Sequence, residues 1–204
     1  MVHTAPEGTD ARARAVVLVE GPSDRVALAV LARRGGLDLA ARGVRIVSMD
    51  GITNIGHYLT HYHAEAPELP VCGLYDDAEE RFVRRGLERL GVPVAPGRAG
   101  LEAHGFFCCS ADLEDELIRA LGPAEVVRLV EAQGQGRSFR TLRRQPALRD
   151  RSLPDQLRRL MGGRSGGKER YAAAMAEAVA PQQVPRPLSG VLAYAVTAGQ
   201  AVTW

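Results

Sequence analysis

The sequence of 204 residues contains few cysteines and no long apolar segment. Its three cysteines, Cys72, Cys108 and Cys109, all lie in apolar stretches, and the neighbouring pair would point to opposite faces of a strand. Disulfide bonds are therefore not expected, and there is no CxxC pair from which a zinc site could start. No apolar run approaches the length of a membrane span, and residues 1–15 lack the apolar core of a signal peptide. These absences predict a cytoplasmic protein without a membrane segment.

Lysine is almost absent, because the 26 basic residues comprise 25 arginines and a single lysine, Lys168. Arginine carries a planar guanidinium group, whereas lysine carries a compact ammonium group. If arginine has replaced lysine wherever either residue would serve, the remaining lysine marks a position that needs the compact group. Chance survival is the alternative explanation.

The basic residues are concentrated in one part of the chain. Between Arg137 and Arg170 there are eleven basic and three acidic residues, a local charge of 11 − 3 = +8, although the whole chain carries +2. An acidic front part beside a basic back part suits a site where carboxylates bind metal ions and arginines bind a phosphate backbone. A solvated arginine-rich helical face, or a protein interface, would have the same composition. The candidate DNA-binding residues are Arg140, Arg143, Arg144, Arg158, Arg159 and Arg164.

Strand-like and helix-like patterns alternate in the first part of the sequence. Strands are predicted at Val16–Glu20, Val44–Met49, Val71–Tyr75 and Phe106–Cys109, with helical patterns between them. This alternation predicts an α/β fold in which helices flank a four-stranded, mainly parallel sheet with right-handed crossovers. A loop is predicted at Pro93–Gly100.

Beyond Gly122 the patterns are helical only, and Gly134 and Gly136 are predicted to interrupt them. The expected organisation is a disordered N-terminal lead at residues 1–13, an α/β domain at 14–122 and a helical C-terminal region at 123–204.

Acidic residues follow the first, third and fourth predicted strands. Glu20 ends the first strand, with Asp24 four residues on. Asp76 follows the third strand, and Asp112 and Glu114 follow the fourth. Carboxyl ends of parallel strands lie at one edge of a sheet, so Glu20 and Asp76 would face each other if the first and third strands are neighbours.

Several carboxylates in one crevice repel one another unless a cation lies between them. A site with only oxygen ligands favours Mg²⁺ or Mn²⁺, and two such ions could stabilise the attacking and leaving oxygens of phosphodiester hydrolysis. Helix capping is the competing explanation for Asp24, Glu79 and Asp112, each of which is placed to cap a helix. Capping explains Glu20 less well, because this residue ends a strand.

The run LVEGPSDRVAL, from Leu18 to Leu28, resembles the first motif of the Toprim fold. It is most similar to the nuclease half of the OLD (overcoming lysogenization defect) family endonucleases. Further similarity occurs at GLYDDAEE (Gly73–Glu80), ADLEDELIRALG (Ala111–Gly122) and GGKERYAAAMAEAV (Gly166–Val179). The resemblance therefore covers roughly residues 14 to 180.

The resemblance implies a Toprim domain and a DNA endonuclease that depends on Mg²⁺ or Mn²⁺. Glu20 matches the invariant glutamate of the first motif, and Asp76 matches the first aspartate of the DxD motif. The resemblance also implies that Asp24 and Glu114 are metal ligands. Asp112, at the start of Asp112-Leu113-Glu114, is a further predicted metal ligand. Lys168 corresponds to the active-site lysine that stabilises charge on the cleaved phosphate.

The sequence departs from the family pattern at the DxD motif, which is Asp76-Asp77-Ala78 here. Either Asp77, Glu79 or Glu80 substitutes for the missing aspartate, or the site holds one ion less firmly. A Toprim module that binds nucleic acid or protein without catalysis is therefore the alternative function.

OLD proteins carry an ATPase ahead of the nuclease half, and this sequence shows none. The run Gly162-x4-Gly167-Lys168 imitates a phosphate-binding loop, but Glu169 follows it and a helix, instead of a strand, precedes it. ATP hydrolysis is therefore not expected. DNA is the expected partner, together with a separate ATPase subunit or a second copy of the chain.

Overall fold

A computed structural model describes residues 13–163 and 166–201. The predicted N-terminal lead therefore lies almost wholly outside the described residues. The strands are β1 (Ala15–Val19), β2 (Val44–Ser48), β3 (Val71–Asp76) and β4 (Phe106–Cys109). The helices are α1 (Pro22–Arg34), α2 (Ile55–Glu65), α3 (Glu80–Arg89), α4 (Arg98–Glu102), α5 (Leu113–Leu121), α6 (Pro123–Ala132), α7 (Gly136–Arg143), α8 (Leu153–Met161), α9 (Gly167–Ala178) and α10 (Arg186–Ala201).

The four strands form one sheet in the order β2-β1-β3-β4, and every pairing is parallel. Strand β1 lies in the interior of the sheet. Its apolar residues are buried on both faces, as is typical of parallel sheets. Its neighbours are β2 and β3, with Val16 opposite Val71 in the second pairing. The predicted α/β fold is confirmed. The first and third strands are neighbours, which is the condition under which Glu20 and Asp76 were expected to face each other.

Alternate side chains of β1 enter two separate hydrophobic cores. Val17 and Val19 pack in the core formed with α1 and α5–α10, while Val16 and Leu18 pack in the core formed with α2, α3 and α4. The sheet therefore lies between two helical layers. We call the side with α1 and α5–α10 the first layer, and the side with α2–α4 the second layer.

The C-terminal helices share their core with the sheet. Helix α10 lies against β1, β3 and β4, so closely that a Cβ at Gly190 would lie 2.6 Å from the ring of Phe107. Helix α9 packs along α1, whose Arg34 donates hydrogen bonds to the carbonyls of Ala176 (2.7 Å) and Val179 (2.6 Å). One continuous hydrophobic core thus crosses residue 122.

Two helices lie where the sequence predicted irregular structure. Helix α4 begins inside the predicted loop, and a Cβ at Gly100 would lie 1.9 Å from the carbonyl oxygen of Ala95. Helix α7 begins at Gly136, where glycine was expected to break the pattern. Phe139 of this helix is buried, so packing against α6 and α8 outweighs the low helix propensity of glycine. The predicted loop is therefore wrong only from residue 98 to 100, and the predicted break is present at Gly134 but not at Gly136.

Within residues 13–163 and 166–201, no helix has both the length and the apolar character needed to cross a bilayer.

Candidate metal centre

Glu20 is the first residue beyond the buried strand β1, and its backbone is held on both sides. The amide of Gly51 donates a 3.0 Å hydrogen bond to the carbonyl of Glu20, while Gly21 turns the chain into α1. The amide of Gly21 is in turn bound by the carboxylate of Asp24 at 2.8 Å. The side chain of Glu20 therefore lies at the carboxyl edge of the sheet.

Three carboxylates meet at this edge. One oxygen each from Glu20, Asp76 and Glu79 lies within 4.8 Å of the other two, and all three residues are half-buried. We call these residues the acid triad. Asp76 ends β3, the neighbour of β1, and Glu79 ends the short 3₁₀ helix Asp77–Glu79 that follows.

The acid triad fits a hard divalent cation. Its donors are all carboxylate oxygens, and the Oε2 atom of Glu79 is buried with no hydrogen-bond partner among the described residues. A buried acceptor without a donor is costly, and a cation between the carboxylates would remove both that cost and their mutual repulsion.

The local environment favours protonation of Asp76 and Glu79 when no cation is bound. The pKa of Asp76 is raised to about 8, first by burial and then by the charges of Glu79, Glu20 and Asp112. The pKa of Glu79 is also raised, first by burial and then by the charge of Glu20. Negative charge on Asp76 and Glu79 is thus unfavourable without a counter-ion.

The structure separates the three acids that could replace the missing aspartate of the DxD motif. Asp77 forms an ion pair with Arg98 at 2.5 Å, and Glu80 forms one with Arg84 at 2.8 Å. Only Glu79 of the three lies in the acid triad. Glu79 is one of the three candidate substitutes that the sequence offers for the missing aspartate, but it is not among the predicted metal ligands. The available signal was its spacing, because residues three apart lie on one side of a 3₁₀ turn.

A second group of charges lies beside the triad. The Nζ atom of Lys168 lies 3.7 Å from Oε1 of Glu114, a side chain that is buried on α5. The pKa of Asp24 is raised to about 7, mainly by burial and also by the charges of Glu114 and Glu20, against the lowering effect of the hydrogen bond from the Gly21 amide. Asp24 therefore interacts electrostatically both with Glu20 of the triad and with the Lys168–Glu114 pair.

Asp112 has other partners in the structure. Its Oδ1 atom accepts a 2.8 Å hydrogen bond from the amide of Asp115, which caps α5. Its Oδ2 atom is bound by Nε of Arg158 at 3.0 Å and also by Nη2 of Arg158. Two residues predicted to bind metal and DNA respectively are thus paired with each other, and their predicted roles stay predictions.

The other arginines predicted to bind DNA lie on α7, α8 and the segments that follow them. Arg140 is within 3.7 Å of Glu131, and Arg143 donates a 2.7 Å hydrogen bond to Gln156. Arg144 and Arg159 are exposed, and neither has an ion pair in the part of the chain that the structure describes. Arg164 lies outside the described residues.

The parallel sheet in the order β2-β1-β3-β4 has a glutamate after β1 and an aspartate after β3 at its carboxyl edge, the arrangement that the resemblance to Toprim domains implies. Residues 13–77 match the family model described as "Overcoming lysogenization defect protein-like, TOPRIM domain". That segment contains three of the four strands and the positions of Glu20, Asp24 and Asp76. The chain therefore carries an OLD-like Toprim domain, and the resemblance inferred from its motifs is confirmed.

Solved structures extend the likeness in fold to most of the chain. The C-terminal region of the Burkholderia pseudomallei OLD protein is 22% identical, with a TM-score of 0.71, and the match covers 92% of this chain and 98% of that one. For the C-terminal region of the Xanthomonas campestris pv. campestris OLD protein phased with platinum, the identity is 24% and the TM-score 0.71. That match covers 93% of this chain and 95% of the other. No curated protein sequence matches this chain significantly.

Proposed function

We propose that the protein is a divalent-metal-dependent DNA endonuclease of the OLD-like Toprim type. The observation that carries this proposal is the acid triad, in which oxygens of Glu20, Asp76 and Glu79 lie within 4.8 Å of one another at the carboxyl edge of the sheet. Such a set, with one buried oxygen lacking a partner, suits Mg²⁺ or Mn²⁺.

In this proposal, the triad holds the ion and the surrounding residues prepare the site for a phosphate. The bound ion would supply Lewis-acid stabilisation of charge on the phosphate oxygens. Glu20 projects from a rigid, fully buried strand, so its position requires little reorganisation. Asp24 keeps the Gly21 turn in place by accepting a 2.8 Å hydrogen bond from the Gly21 amide.

Lys168 is proposed as the catalytic cation that faces the scissile phosphate. Its side chain is 57% exposed, while its partner Glu114 is 5% exposed, so the ammonium group is anchored on one side and open to solvent on the other. A phosphate oxygen that gains charge during cleavage would accept hydrogen bonds from this ammonium group.

A second ion remains part of the proposal, with Asp24 and Glu114 as its ligands. The support is electrostatic, because each of these carboxylates is desolvated and the pKa of each is raised by burial. Among the residues that the structure describes, the triad is the one group with three ligand atoms within 4.8 Å. We therefore assign the primary ion to the triad.

The deciding experiment is plasmid nicking. Purified wild-type protein is incubated with supercoiled DNA in Mg²⁺, Mn²⁺ or EDTA, beside Glu20→Gln and a control variant, Glu65→Gln. Glu65 is an exposed acid at the end of α2, away from the triad. We expect nicking that requires metal, is lost in Glu20→Gln and is retained in Glu65→Gln.

Two results would contradict the proposal. DNA binding without any cleavage would favour the non-catalytic Toprim module, and equal nicking by wild type and Glu20→Gln would place the activity elsewhere. A separate ATPase subunit and a second copy of the chain remain predicted partners. Adding ATP alone should leave nicking unchanged, since no phosphate-binding loop is expected in this sequence.

A further inference from the structure

Helix α3 carries a second basic surface, which lies outside the basic segment between Arg137 and Arg170. Arg81, Arg85 and Arg89 are all exposed, and their spacing of four residues places them along one side of the helix. We call these three residues the α3 arginine stripe. The stripe begins two residues after Glu79 of the acid triad and runs away from the carboxyl edge of the sheet.

The fold does not use these arginines as it uses their neighbour Arg84. Arg84 donates hydrogen bonds to Glu80 and to the carbonyls of Val94, Ala95 and Gly97, and so fixes the segment before α4. Within the described residues, Arg85 and Arg89 form no ion pair, and the guanidinium of Arg81 lies 4.8 Å from the centre of the neighbouring Phe82 ring. The stripe is therefore available to a ligand.

The opposite side of α3 explains why the stripe faces outward. Val83, Gly86 and Leu87 are buried, and a Cβ at Gly86 would lie 2.7 Å from Leu59 of α2. This close packing fixes the rotation of the helix. The exposed side then carries three arginines and one acid, Glu88, a net charge of 3 − 1 = +2.

The stripe lies in the second helical layer, whereas α7 and α8 belong to the first. The acid triad lies at the sheet edge between these layers. A ligand that runs over the carboxyl edge from one basic surface to the other would cross the proposed metal centre. A small anion cannot span the sheet and both layers, but duplex DNA is long, stiff and uniformly charged.

We propose that the α3 arginine stripe binds the phosphate backbone of duplex DNA, so that the duplex crosses the carboxyl edge and is held on both sides of the acid triad. This inference rests on the proposed DNA endonuclease function. Residues four apart on a helix are separated by about 6 Å along its axis, so Arg81 and Arg85 can contact different phosphates. Arg81 and Arg85 are the residues of the stripe nearest to the triad, so these two are substituted in the test.

The test compares duplex affinity across a salt series without cleavage. A labelled duplex of three helical turns is titrated in EDTA with wild type, Arg81→Gln/Arg85→Gln and a control, Arg14→Gln/Arg42→Gln. Arg14 and Arg42 are exposed and lie just before β1 and β2, at the opposite edge of the sheet. The control removes the same number of positive charges. A difference in affinity between the two variants therefore depends on where the charges lie on the surface.

We expect the stripe variant to bind more weakly and its slope of log affinity against log salt to fall by about 0.9 for each lost phosphate contact. The control should match wild type, and Arg81→Lys/Arg85→Lys should retain the slope. Equal behaviour of the stripe and control variants would overturn the inference. If the stripe and control variants bind alike and wild type still nicks DNA, the endonuclease proposal stands and the inference about the stripe fails. If wild type neither binds nor nicks DNA, the proposed function and the inference about the stripe both fail.

Discussion

The ammonium group of Lys168 lies 3.7 Å from the buried carboxylate of Glu114, which joins the start of α9 to the start of α5. Lys168 is the single lysine of the chain, and its partner lies beside Asp24, which in turn neighbours Glu20. This contact links the C-terminal helices directly to the carboxyl edge of the sheet.

Replacing Lys168 by alanine should reduce the nicking rate by about a hundredfold or more, because a donor to the developing charge is lost. Duplex affinity should change little, since binding depends on many arginines. Single-turnover nicking and fluorescence anisotropy would measure the two effects. Arg170→Ala, which removes an exposed cation two residues further along α9, is the control and should retain activity. A similar loss in both variants would argue against a specific role for the lysine.

Glu79→Gln should weaken Mn²⁺ binding by at least about tenfold, because it removes a charged oxygen from the acid triad. Asp77→Asn should leave Mn²⁺ affinity unchanged, since Asp77 is paired with Arg98 instead of lying in the triad. Isothermal titration of each variant with Mn²⁺ would show the difference. If Asp77→Asn were the more damaging change, Asp77 would be the substitute for the missing aspartate.

Stability without metal should fall as pH rises. The pKa of Asp24 is raised to about 7 and that of Asp76 to about 8, against 3.8 for an ordinary aspartate. Because these pKa values are higher in the folded state than in the unfolded state, the contribution of the two carboxyl groups to stability is complete below pH 3.8. This contribution is lost progressively as the pH rises to about 8. Melting curves in EDTA from acidic to alkaline pH would measure the decline.

Adding Mg²⁺ should reverse this decline, and the rise in melting temperature should be larger at high pH than at low pH. At high pH the carboxylates are already ionised, so no proton competes with the cation. The effect of Mg²⁺ should disappear in Asp76→Asn. A metal effect that is independent of pH would mean that these carboxylates are not ligands.

Asp112→Ala should destabilise the protein by about 1–2 kcal/mol, because it removes the cap of α5 and the partner of Arg158. The low end is more realistic, since the Arg158 side chain is 35% exposed and its charge remains partly solvated. Mn²⁺ affinity should be unchanged. Denaturant unfolding and Mn²⁺ titration would be measured together, and a large loss of metal affinity would show that Asp112 binds the ion, as predicted from the sequence.

Arg144→Gln/Arg159→Gln should lower duplex affinity and reduce its salt dependence by about one contact for each residue, without changing Mn²⁺ affinity. These two arginines are exposed and unpaired in the described structure, whereas Arg143 is bound to Gln156. Arg143→Gln therefore serves as the comparison and should have the smaller effect on the salt slope. An unchanged slope in the double variant would indicate that this surface does not bind DNA.

Much of the fold followed from local patterns. The strands lay close to their predicted positions because buried parallel strands have continuous β-branched and apolar runs, as in Ala15–Val19. Helices α4 and α7 were missed because glycine lowers helix propensity, and only packing against other elements stabilises these segments.

The sequence by itself determined that acids end the strands, because strand pattern, turn residues and the acidic positions are all local features. It also singled out Lys168 by its rarity. Only the tertiary structure decided which acids meet. The 3₁₀ turn after β3 brings Glu79 to Glu20, Arg98 and Arg84 engage Asp77 and Glu80, and Arg158 engages Asp112. Apart from the local pair of Glu80 and Arg84, which lie four residues apart on one helix, these contacts join residues that are distant in the chain. A side chain's partners decide whether its charge is available to a metal ion.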